Sequence, residues 1–61
     1  MVAKGDIYTV PGQGLNIKAV TVQVTVDWVD DKDVWYRILG RPWDIRSTPI
    51  ERFKEIIGAS A

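Results

Sequence analysis

The stretch Leu15-Asn16-Ile17-Lys18-Ala19-Val20-Thr21-Val22-Gln23-Val24-Thr25-Val26-Asp27-Trp28-Val29 decides how this chain reads. Apolar and other residues alternate along it with a period of two, which is the signature of a strand with one buried face. The phase of the alternation changes partway. Leu15, Ile17 and Ala19 hold odd positions, whereas Val20, Val22, Val24, Val26 and Trp28 hold even ones. A straight strand over 15–29 would span about 50 Å at about 3.3 Å per residue. A compact domain of this length has a radius of gyration of only about 10–11 Å. The strand is therefore expected to bend or bulge at 18–20, because one extra residue switches the parity that faces inward. That arrangement puts Val20, Val22, Val24, Val26 and Trp28 inside and Thr21, Gln23, Thr25 and Asp27 outside.

The flanking segments extend the β reading. Residues 5–10 form a first strand, and Pro11-Gly12-Gln13-Gly14 reads as a turn or short loop. Asp30-Asp31-Lys32-Asp33 is a polar hairpin turn. Residues 34–39 return as a strand with Val34, Tyr36 and Ile38 inward, and Trp35, Arg37 and Leu39 on the other face. Gly40-Arg41-Pro42 turns the chain into a short strand over 43–46. A helix is expected over 49–57, with Thr48 as N-cap, Pro49 at the first helical position and Glu51 as capping partner. Ile50, Phe53, Ile56 and Ile57 give it an apolar stripe, and Gly58 ends it. So short a helix is stable only when docked. The expected fold is mainly β: a small, SH3-like, strongly bent antiparallel barrel of four or five strands, closed or half-closed, with a C-terminal helix. Its core would hold Ile7 or Tyr8, Val10, Ile17, Val20, Val22, Val24, Val26, Trp28, Val34, Tyr36, Ile38, Ile45, Ile50, Phe53 and Ile57.

Composition narrows the chemistry. Sixty-one residues make one domain, 1–61, near the lower limit for unaided stability. There is no Cys and no His, which removes disulfides, Cys/His zinc sites, thiol nucleophiles and histidine acid–base catalysis. Eight basic side chains balance eight acidic ones. A nucleic-acid coat protein would be clearly basic, and neutrality leaves little charge repulsion against self-association. Residues 1–6 lack an apolar signal core and no run reaches membrane-spanning length, so the expected setting is cytoplasmic, without a membrane partner.

Asp27, Asp30, Asp31 and Asp33 surround one turn but lack the glycine and distal glutamate of a calcium loop, so they read as a solvated turn and no metal site is assigned. Asp44, Glu51 and Glu55 show no pattern that would set them as an acid–base pair, and no catalytic residue or cofactor is assigned. The basic residues Arg37, Arg41, Arg46, Arg52 and Lys54 outnumber Asp44 and Glu51 between positions 36 and 54. Trp35, Tyr36 and Trp43 are interleaved with them. Arginine with exposed aromatics suits a protein-contact hot spot or a single-strand nucleic-acid platform. The plain alternative is core tryptophans with solvated arginines. The parity of 34–39 turns Trp35 outward, so Trp35, Arg37, Leu39, Arg41, Trp43 and Arg46 are the expected binding residues. The expected function is a non-enzymatic binding module acting through protein–protein contact or self-association as a homodimer. A weak single-stranded nucleic-acid binder is the alternative.

Gly5-Asp6-x-Tyr8 opening a strand, Val34-x-Tyr36-Arg37 leading to Gly40, and Pro49-x-x-Arg52-Phe53 in a closing helix resemble a family of small uncharacterised prophage proteins of enteric bacteria. The resemblance covers most of the chain in order. It implies an SH3-like layout, a mobile-element origin and a cytoplasmic host location. It carries no functional residue, because the family has no assigned activity.

Overall fold

The computed structural model describes residues 2–58. Four strands run up and down as β1 (Ile7–Pro11), β2 (Thr21–Val29), β3 (Asp33–Ile38) and β4 (Arg41–Pro49), followed by the helix α1 (Ile50–Gly58). They form one antiparallel sheet in the order β1-β2-β3-β4. A 3-10 turn at Gly12–Leu15 lies between β1 and β2. The mainly β reading and the C-terminal helix are as expected, but the sheet is not closed into a barrel. The reason lies in β2. It begins at Thr21, so the strand segment over 15–20 that was expected to carry the bend is absent; β1 and β4 are the two edges of the sheet.

Residues 15–20 are not strand. The amide of Gly12 donates to the Val20 carbonyl, and Ile17 donates back to Gly12. Gly12 is buried inside this loop: a Cβ there would collide with the Ala19 carbonyl and lie 2.9 Å from that of Ile17. Asn16 takes the left-handed conformation that lets the 3-10 turn end. The apolar residues of 15–20 thus belong to a folded-back loop. Leu15 reaches the core, whereas Val20, expected inside, is 91% exposed.

A change of phase does occur in β2, further along. Val26 pairs with Tyr36, and Trp28 pairs with Trp35, which leaves Asp27 as an extra residue. This bulge turns Trp28 outward and gives the inward parity to Val29, the partner of buried Val34. Trp28 is therefore surface and not core, with 56% exposure. Ile45 is also corrected from core to surface. It pairs with outward-facing Arg37, and β4 runs from 41 to 49 where a strand over 43–46 was expected.

The core lies between one face of the sheet and α1. Val10, Val24, Val26, Val34, Tyr36 and Ile38 come from the strands, and Phe53 and Ile56 from the helix. Phe53 is the keystone: its ring stands edge-on to Tyr8 at 5.8 Å and tilted against Tyr36 at 5.1 Å. Pro49 ends β4, so the helix starts one residue later than expected. The Thr48 side chain pairs with the Tyr36 hydroxyl at 2.8 Å, a contact that ties β4 to the core rim. The hairpin turn is as read: Asp30 accepts from the amides of Lys32 and Asp33, each at 2.7 Å.

Candidate binding face

A sheet in a two-layer domain covers one face. Here α1 covers the side bearing Val24, Val26 and Tyr36, and the opposite side has no second layer. The register sets what that open side carries. Ile7, Thr25, Arg37 and Ile45 follow one another across all four strands. Trp28, Trp35 and Ser47 make a second row across β2, β3 and β4. Trp43 lies near the start of β4, in the irregular stretch between Arg41 and Ile45, and is 76% exposed.

The arginine at the centre of this face is paired. The Arg37 Nε donates to Asp27 Oδ2 at 2.6 Å, so the extra residue of the bulge neutralises the arginine in the middle of the face. Lys4 sits over the Trp28 ring, its Nζ 5.9 Å from the centroid, in a cation–π arrangement. A shallow hollow of about 230 Å³ beside Arg37 is walled by Thr25, Asp27, Leu39, Gly40 and Pro42. Trp28, Ile7 and Ile45 are each more than half exposed on this face, with Thr25 and Arg37 standing between the two isoleucines.

The six expected binding residues do not all meet. Trp35 is half-buried on the open face beside exposed Arg37, and Leu39, Arg41 and Trp43 are exposed towards the β3–β4 end. Arg46 is corrected to the other side. It pairs with buried Tyr36, and its guanidinium donates to Asp44 at 3.0 Å and to the Leu15 carbonyl. That bond holds the Asp44 carboxyl below its ordinary range and raises Arg46. Trp28, Ile7 and Ile45 belong to the face and were not expected there. The adjacent apolar pair Trp28-Val29 is the trace of the bulge in the sequence, since strict alternation forbids such a doublet.

A second concavity, about 500 Å³, lies on the helix side along β4. Leu15, Tyr36, Arg46, Ser47, Arg52 and Ile56 contribute to its walls. Arg52 is paired with Glu55 at 3.1 Å. Among the described residues no polar or charged side chain is buried, and no three acidic groups gather to hold a metal ion. No helix among the described residues is long and apolar enough to cross a membrane. Comparison with protein-family models, curated proteins and solved structures finds no match.

Proposed function

We propose that this chain is a small non-enzymatic binding module that works by protein contact through the open face of its sheet. The observation that carries the reading is the bulge at Asp27, which turns Trp28 out beside Trp35 on the face that nothing in the fold covers. The partner it fits is an apolar, charge-neutral protein surface. Arg37 is already satisfied by Asp27, so an acidic partner gains little there. The same pairing weighs against the nucleic-acid alternative, because phosphate binding would have to displace the carboxylates of Asp27 and Asp44 from Arg37 and Arg46.

The resemblance of its short motifs to small prophage proteins is the ground on which a mobile-element origin and a cytoplasmic setting are part of this proposal, with the meander-plus-helix order as an open relative of SH3-like barrels.

The test is affinity capture from nuclease-treated host lysate, comparing the wild type with Trp28→Ser and with Lys54→Gln on the exposed side of α1. The expected result is a partner retained by Lys54→Gln, lost by Trp28→Ser and indifferent to added salt. Capture that survives Trp28→Ser refutes the reading. Capture that disappears with nuclease or falls steeply with salt assigns the nucleic-acid function instead.

A further inference from the structure

The open edge of β4 carries a second, more specific surface, and it deepens the protein-contact reading by naming a partner. In β3–β4, the Ile50 amide donates to the Lys32 carbonyl, which fixes the phase of the ladder. Antiparallel pairs alternate between bonded and non-bonded. The pairs Val34–Thr48 and Tyr36–Arg46 are then bonded, whereas Trp35–Ser47 and Arg37–Ile45 are not. The backbone N–H and C=O groups of Ile45 and Ser47 therefore point away from β3, off the edge of the sheet; the regular ladder stops at Ile45, because Ile38 pairs with Arg41 across an irregularity over 42–44. Pro49, next in that series, has no N–H and ends it. A row of backbone groups so exposed is a template for another strand.

We propose that the strand it takes is β4 of a second copy, antiparallel about a two-fold axis at Ile45. This register sets Ile45 against its own copy. It also sets Asp44 directly opposite Arg46, twice. Sliding by one pair in either direction sets Asp44 against Asp44 or Arg46 against Arg46, and like charges across a ladder are destabilising. Charge thus selects one register of a self-complementary edge. The Asp44–Arg46 ion pair within each chain becomes half of a four-charge network. The proline at each end, Pro42 and Pro49, limits the pairing to the segment between them. Zero net charge opposes nothing. The product is an eight-stranded sheet in which the two open faces become one, with Ile45 at the seam.

Sedimentation equilibrium, carried into the high-micromolar range, tests this. The wild type is expected to approach twice the 6.9 kDa chain mass. Ile45→Lys, which sets two like charges on the axis at an already exposed position, is expected to sediment as monomer with unchanged circular dichroism. Asp44→Arg should do the same, and the double exchange Asp44→Arg/Arg46→Asp should restore the dimer. Trp28→Ser should leave it intact. A wild type that stays monomeric overturns the proposal. So does a dimer that survives Ile45→Lys but is lost in Trp28→Ser, which would mean face-to-face packing. Loss of partner capture in Trp28→Ser with the dimer retained separates this edge from the open face.

Discussion

Phe53→Ala tests the energetics of the fold most severely. Phe53 is fully buried and is the only aromatic that α1 contributes, set between Tyr8 and Tyr36. Removing the ring forfeits its transfer free energy and leaves a cavity between helix and sheet, worth about 3–5 kcal/mol. The aromatic contacts add about 0.5–1.5 kcal/mol each. A domain of 61 residues has a total stability of about 3–9 kcal/mol. The substitution therefore consumes most or all of it, and with it the docking of a helix too short to stand alone. Urea denaturation followed by circular dichroism is the assay. Phe53→Leu, which keeps most of the volume, should remain folded with a lowered midpoint and give a measurable reference. A loss below about 1.5 kcal/mol for Phe53→Ala would refute the argument that the helix closes the core through this ring.

Three further outcomes are expected. Trp28→Ser, although it removes a larger side chain, should cost less than about 1 kcal/mol in the same assay, since the site is surface. Gly12→Ala should cost about 1–3 kcal/mol or more, because the added methyl meets loop backbone that cannot rotate away; thermal melting reads it. Asp6, Asp30 and Asp44 all titrate below the ordinary carboxyl range: Asp6 through the Ala3 amide and Tyr8 hydroxyl, Asp30 through the Asp33 and Lys32 amides, and Asp44 through Arg46. Depressed folded-state values contribute stability that is present above the unfolded pKa of about 3.9 and lost as pH falls through the folded values. The melting temperature should hold from neutral pH to about 5 and fall below about 4, with a smaller fall in Asp30→Asn.

Much of the architecture is legible in the residues, and the exceptions have physical causes. Strand β3, the hairpin at Asp30 and the stripe of Phe53 and Ile56 follow from periodicity and turn chemistry, which are local. The barrel expectation failed because alternation in 15–20 imitates a strand. What breaks it is a glycine, Gly12, buried under its own loop, and that contact is not local. The inward placement of Trp28 failed because a bulge costs no residue that looks unusual. Asp27 fits an outward strand position equally well, and only the Trp28-Val29 doublet records the shift. On the candidate face, Trp35 and Arg37 were legible from the parity of β3. Ile7 and Ile45 were not: Ile7 lies on an edge strand whose two faces are similarly apolar, and in β4 the apolar Ile45 faces outward while the polar Asp44 and Arg46 take the other side. Arg46 was misplaced because its apolar neighbour Ile45 was expected inward, and its actual side follows from the register with Tyr36.

The outward turn of Trp28 supports both the open face and its proposed use, and it can be measured directly. In the Trp35→Phe/Trp43→Phe protein, Trp28 is the sole remaining indole, and its emission and acrylamide quenching report its surroundings alone. The bulge predicts red-shifted emission and ready quenching in the folded protein. Blue-shifted emission protected from acrylamide until the protein unfolds would return Trp28 to the core and contradict the account.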